Sequence, residues 1–287
     1  MGYSALTLAR RLAGAGWTIA GTSRTGAGIA RLAQAGFAAQ LFDGTRVTAP
    51  LHAAILDADA ILLSAPPGAE GDPVLASARA ALSDWAKYGT WLGYLSTTGV
   101  FGDRQGEWVD ETSETAPTGE RGRRRLAAEQ GWQDFAAAGP APLHIFRLPG
   151  IYGPGRSVLD TLRAGTARRF NKPGQFFSRI HVDDLAATLA ASIAAPAPGR
   201  IYNVCDDEPA PQCDVVAYGA ELLGLPVPPL EDFDTASATL SDMARSFYRD
   251  SKRVRNTRIR EELGVSLARP TYREGLTAIL ACEPMIP

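Results

Sequence analysis

Apolar positions in the first half of the chain follow two alternating rhythms. Short runs of β-type residues at 17–23, 37–42, 58–64, 91–96 and 143–147 read as strands. Stretches with apolar residues three and four apart read as helices, over roughly 28–35, 73–87 and 121–138. An amphipathic helix carrying Leu6, Leu8, Ala9 and Leu12 precedes the first of these strands. Strands alternating with helices of about 10–15 residues call for a parallel sheet covered on both faces.

The rhythm fades after residue 147. Residues 148–177 are rich in glycine and proline, one strand–helix unit returns at 177–182 and 184–194, and a short strand follows at 200–204. From residue 205 helices mix with loops. The pattern predicts an α/β, Rossmann-like doubly wound parallel sheet with a smaller, discontinuous C-terminal substrate domain. Residues 1–147 and 178–204 form the dinucleotide-binding core in this reading, and 148–177 with 205–287 form the substrate-binding lobe.

Candidate cofactor contacts fall where such a sheet places its ligand. Gly2-Tyr3-Ser4-Ala5 opens the first helix. In a dinucleotide-binding unit a glycine turn lets backbone N–H groups approach a pyrophosphate at a helix N-terminus. Gly2 then matches the second glycine of G-x-G-x-x-G/A and Ala5 the third position. The first glycine and the strand before it have no counterpart, which leads us to expect a misplaced or trimmed start, short by about 8–10 residues. An ordinary N-terminal helix remains the alternative for this segment. After the strand at 17–23 stand Ser23 and Arg24, where arginine accommodates a ribose 2′-phosphate and an acidic residue would bind a 2′-hydroxyl. The expected cofactor is therefore NADP, with NAD as the alternative. Asp43, Ser64, Ala65 and Pro66 follow two further strands at their C-terminal ends.

Composition narrows the function classes. The 287 residues are 45% hydrophobic and 21% charged, with net charge −2, which argues against nucleic acid or a membrane surface as partner. No apolar run approaches the roughly 18–20 residues that span a bilayer. Three cysteines without a C-x-x-C leave no paired disulfide framework, and a cytoplasmic location is expected. Cys205-Asp206-Asp207-Glu208 with Cys213 matches no zinc spacing, so no metal is expected. Only Lys87, Lys172 and Lys252 are lysines among 29 basic residues, an arginine excess that suits anion recognition without proving it. Monomer and homodimer both stay open.

Four segments in order carry a family resemblance: Ser96-Thr97-Thr98-Gly99-Val100-Phe101-Gly102, Leu148-Pro149-Gly150-Ile151-Tyr152-Gly153, His181-Val182-Asp183-Asp184 and Tyr202-Asn203-Val204. Together they resemble an extended short-chain dehydrogenase/reductase of the NAD-dependent epimerase/dehydratase group. The tail Ser251-Lys252-Arg253-Val254-Arg255-Asn256 is similar to an atypical branch of it. The resemblance implies a Ser/Thr–Tyr–Lys catalytic set, with Thr97 as the hydroxyl that hydrogen-bonds a substrate oxygen. It also places Leu148, Pro149 and Gly150 at the cofactor. Aligned on Leu126 and Glu129, however, the tyrosine position is Arg121 and the lysine position is Arg125. Arginine stays protonated and cannot act as general base. It can still bind an oxyanion through paired N–H donors, and Arg125 can reach the cofactor. Tyr152 is the replacement acid/base that joins Thr97 and Arg121 in the expected catalytic set; Tyr3 and His181 are weaker candidates. A basic helix surface, and an exposed turn for Thr97, stay open.

The expected function is an NAD(P)-dependent oxidoreductase or epimerase acting on a small hydroxyl or carbonyl substrate, with an anionic one favoured by the arginines. A non-catalytic NAD(P)-binding regulatory or scaffold protein is the alternative. A third option is a nucleotide-sugar enzyme whose arginines clasp a diphosphate.

Overall fold

A computed structural model describes residues 1–282. The chain runs α1 (Tyr3–Gly14), β1 (Ala20–Ser23), α2 (Gly26–Gln34), β2 (Ala38–Leu41), α3 (Ala49–Leu56), β3 (Ala60–Leu63), α4 (Pro73–Trp85), β4 (Trp91–Thr97), β5 (Trp108–Val109) and α5 (Glu120–Ala137). It continues through β6 (Leu143–Leu148), β7 (Gly150–Tyr152), α6 (Val158–Arg163), β8 (Arg169–Asn171), β9 (Arg179–His181), α7 (Val182–Ala194) and β10 (Arg200–Asn203). The last part holds α8 (Gln212–Leu222), β11 (Leu230–Asp232), α9 (Phe233–Ala236), α10 (Asp242–Phe247), β12 (Arg253–Val254), α11 (Thr257–Leu263) and α12 (Tyr272–Cys282).

Strand periodicity explains the layers. On β4, Trp91 and Leu95 enter one core with Leu8 of α1 and Leu185 and Leu189 of α7. Leu92 and Tyr94 point the other way, into a core with Leu82 and Trp85 of α4 and Ala128 and Trp132 of α5. Strand β6 repeats the alternation, with Phe146 and Leu148 on the first face and Leu143 and Ile145 on the second. Burial on both faces is why these strands read as nearly continuous apolar runs. The central ladder is parallel in the order β10-β6-β4-β3, and β1 and β2 form a separate parallel pair. The α/β, Rossmann-like architecture read from the sequence is thus what the chain adopts.

Local chemistry sets the element ends. Pro73 occupies the first turn of α4, and the Asp72 carboxylate accepts the Val74 and Leu75 N–H groups at 2.9 and 3.0 Å. Helix α3 was not expected from apolar periodicity, yet Thr48 caps it and Pro50 enters its first turn, a start signal legible in the sequence. Strand β1 begins later than residue 17, because Trp17 is 37% exposed and lies outside the ladder.

The second half packs around Tyr152, Leu159, Val215, Tyr272, Leu276 and Ile279. Strand β12 pairs with β5, and Ile259 and Val265 enter the first sheet core, so part of the chain beyond residue 205 returns to the core. Residues 283–287, assigned above to the lobe, lie outside the described residues. Among the described residues, no helix is long and apolar enough to cross a membrane, and no group of His, Cys, Asp and Glu could hold a metal ion.

Candidate functional site

The C-terminal ends of β1, β2, β3, β4 and β6 carry Ser23, Asp43, Ser64, Thr97 and Leu148 at or just beyond them. Open parallel sheets bind their ligands outside these ends. Thr97 is half-buried, lies opposite Leu148 in the β4–β6 register, and starts the 3₁₀ turn Thr98–Phe101. Its Oγ1 accepts the Gly99 N–H at 3.1 Å, which leaves the hydroxyl proton free to donate.

Helix α5 is brought against Thr97 by a missing side chain and a buried charge. A Cβ on Gly122 would lie 2.8 Å from the Gly99 carbonyl oxygen, so only glycine lets the helix start this close to the turn. Deeper, Glu129 is 2% exposed and accepts from Arg147 Nη2 at 2.8 Å, from Arg147 Nε at 3.2 Å and from the Ser96 hydroxyl. Ser96 and Arg147 face each other across β4 and β6, so one carboxylate ties α5 to both strand ends below Thr97. The sequence reading used Glu129 only as an alignment anchor and missed its partners. Only half of the signal is in the sequence: Arg147 stands in a strand buried throughout and needs a partner there, but nothing in the chain order names which one.

The two arginines at the family's tyrosine and lysine positions differ in environment. Arg125 donates to the Leu95 carbonyl and lies 5.7 Å from the Tyr94 ring centroid, folded against β4. Arg121 is exposed and has no hydrogen bond or ion pair among the described residues. Around them, Glu120 holds Arg123 and Arg124.

Other candidates are occupied elsewhere. Tyr152 is buried, donates its hydroxyl to the Thr271 carbonyl at 3.4 Å and meets the His181 ring edge-on at 5.3 Å. No hydrogen bond joins it to Thr97 among the described residues. Burial, reinforced by Asp206 and Asp184, pushes its phenol well above the usual range. His181 Nδ1 accepts the Asp183 N–H and caps α7, while burial lowers its pKa and favours the neutral ring. Tyr3 donates to the Pro154 carbonyl at 3.1 Å, and a Cβ on Gly153 would lie 2.4 Å from its oxygen. The start of α1 therefore docks against the loop after β7. Asp43 accepts the Thr45 N–H and hydroxyl at 2.9 and 2.7 Å, and these bonds hold its carboxyl below the usual range.

The remaining groups fit a dinucleotide. Gly2 precedes α1 without any side-chain cap, and a Cβ there would meet nothing within 4 Å, so the space beside the residue that opens the first turn of α1 is free. Arg24 is exposed, without a described partner, where β1 turns into α2. Backbone N–H groups and a free guanidinium are the donors that a pyrophosphate and a ribose phosphate require. Ser64, Ala65 and Pro66 follow β3 on the same side of the sheet, and Leu148, Pro149 and Gly150 link β6 to β7.

A family model described as NAD dependent epimerase/dehydratase family matches residues 2–205. A functionally unknown conserved protein from Silicibacter pomeroyi DSS is similar in structure, with TM-score 0.88 and 51% identity, over 98% of this chain and 95% of that one. Protein YeeZ of Escherichia coli (strain K12) is 27% identical over 270 residues, 85% of this chain and 90% of that protein. A 3-diazoavenalumate denitrifying reductase from a Streptomyces species is 29% identical over 140 residues, 46% of this chain and 45% of that protein.

Proposed function

Since the chain belongs to the NAD dependent epimerase/dehydratase family, we propose that it is an NADP-preferring oxidoreductase whose site works without proton exchange by a tyrosine–lysine pair. The observation that carries this reading is the free Thr97 hydroxyl proton at a strand end against which the helix bearing the unpartnered Arg121 docks. The similarity to a reductase favours reduction over epimerisation.

The first-turn N–H groups of α1 and the Arg24 guanidinium would hold the cofactor's phosphates, with Ser23, Asp43, Ser64–Pro66 and Leu148–Gly150 around the remainder. A nicotinamide held there would supply hydride transfer to or from a substrate carbon. Thr97 donates to the substrate oxygen and orients it. Arg121 remains protonated throughout and stabilises negative charge on that oxygen electrostatically, while the proton that completes or leaves the hydroxyl exchanges with solvent water at this exposed helix start. Arg125, bonded to the Leu95 carbonyl and folded over Tyr94, holds α5 against β4, and would have to leave that carbonyl to meet the cofactor. Tyr152 serves as a wall between sheet and lobe in this reading, since its phenol is bonded and held protonated.

Titration of the full chain with NADPH and NADH, followed by nicotinamide fluorescence, tests the reading. Binding of NADPH more tightly than NADH, with the preference lost in Arg24→Ala, is the expected result; binding of neither overturns it. A non-catalytic dinucleotide-binding protein is the second reading, favoured by the absence of a titratable side chain bonded to Thr97 among the described residues. Turnover that falls about 10²- to 10³-fold in Thr97→Val, with NADPH binding unchanged, rules that reading out.

A further inference from the structure

The basic stretch from Arg245 to Arg260 is almost fully committed to contacts within the protein. Arg245 pairs with Asp242, and Lys252 lies 3.7 Å from Asp250. Arg253 donates to the Gly106 carbonyl at 2.6 Å, and Arg255 stands 5.0 Å from the Trp108 ring centroid. Arg258 donates to the Ile201 carbonyl and Arg260 pairs with Asp207. Arg249 is the exception: its guanidinium is exposed and has no hydrogen bond, ion pair or ring contact among the described residues.

Its position is fixed from both sides. The preceding residue, Tyr248, meets the Phe170, Phe177 and Phe233 rings, and its carbonyl accepts from Lys172. The following residue, Asp250, accepts from the Thr118 hydroxyl through its side chain and from Gln175 Nε2 at 2.7 Å through its carbonyl. Between these anchors Arg249 reaches the start of α5, where a Cβ on Gly119 would lie 4.0 Å from its Nη1. Two residues further along is Arg121. Two unpartnered guanidiniums from separate segments therefore belong to or border one short stretch at the start of α5, whose Gly122 packs against the turn that follows Thr97.

We propose that Arg121 and Arg249 form a clamp for an oxyanion, and that the substrate carries a carboxylate or phosphate next to the group that Thr97 holds. Each guanidinium presents paired N–H donors to an oxyanion, and among the described residues no carboxylate is paired with either. The site accordingly selects acids over neutral alcohols and ketones. The identification of the bound anion as part of the substrate rests on the proposed function; the clamp itself is read separately.

The test is calorimetric titration of the full chain, with and without NADPH, using benzoate in one arm and inorganic phosphate in the other. One or both anions bind at millimolar concentration, the tighter one naming the class. Arg121→Met and Arg249→Met each weaken binding about tenfold or more, as expected on losing a charged bidentate donor. Arg245→Met, on the same segment but paired with Asp242, leaves it unchanged. The melting temperature and the NADPH affinity of Arg249→Met match the parent, which separates a binding role from a structural one. No anion binding, full binding in Arg249→Met, or loss in Arg24→Met alone overturns the clamp. A chain that binds anions through Arg249 but neither NADPH nor NADH keeps the clamp and overturns the proposed function.

Discussion

Glu129 joins three elements through one carboxylate, and its energetics follow from burial. The Arg147–Glu129 pair is almost fully withdrawn from solvent, with side chains 5% and 2% exposed. Such a pair adds little over an apolar substitute, but breaking it leaves a charge stranded in the interior. Glu129→Leu is therefore expected to cost about 3–5 kcal/mol in urea unfolding, and Glu129→Leu/Arg147→Met to recover most of that loss. A single substitution costing less than the double one would contradict this. The same residues show what a sequence conveys at this scale. Thr97 and the tyrosine and lysine positions taken by Arg121 and Arg125 could be located by motif spacing alone. Glu129 with Ser96 and Arg147, or Arg249 beside Gly119, could not, because each joins segments that only the folded chain brings together.

Elements were more legible than contacts. The strands at the sheet centre declared themselves because both of their faces are buried, which gives long apolar runs. Helix α3 did not, since its start depends on Thr48 and Pro50 rather than on a distinct apolar stripe. The docking of α5 was invisible for another reason: it depends on an atom that is missing. At Gly122 a Cβ would come within 2.8 Å of both the Gly99 carbonyl oxygen and Pro117 Cβ, one of them backbone. Gly122→Ala must shift the helix start or the turn, at a cost of about 1–3 kcal/mol from overpacking. Because the turn begins at Thr97 and the helix carries Arg121, anion affinity should fall along with stability. Calorimetry of Gly122→Ala checks both, and a variant as stable as the parent, with full affinity, would remove the argument that this glycine sets the approach.

At the scale of the whole molecule, a buried imidazole couples stability to pH. His144 stands on β6 within the central ladder, fully buried, between the Trp91, Phe146 and Tyr202 rings. Its Nδ1 shares a hydrogen bond with the Ser192 hydroxyl at 3.2 Å, and burial pushes its pKa down to about 4 from an ordinary 6.5. Above pH 6.5 the ring is neutral whether the chain is folded or not, and it adds no pH dependence. As the pH falls from 6.5 toward 4, the unfolded chain takes up a proton that the folded chain refuses. The unfolded state then binds more protons, so stability must fall with decreasing pH across this window. Below about pH 4 both states are protonated and the loss levels off. A shift of this size corresponds to about 3 kcal/mol. His144→Phe keeps an aromatic ring in the stack and removes the titration. Carboxylates and His181 contribute equally to both proteins, so the difference between their stability curves isolates His144. Urea midpoints measured from pH 7.5 to 4 should show the parent losing about 3 kcal/mol relative to His144→Phe, nearly all of it below pH 6.5. Parallel curves would mean that the ring is protonated in the fold with a partner, or that water reaches it.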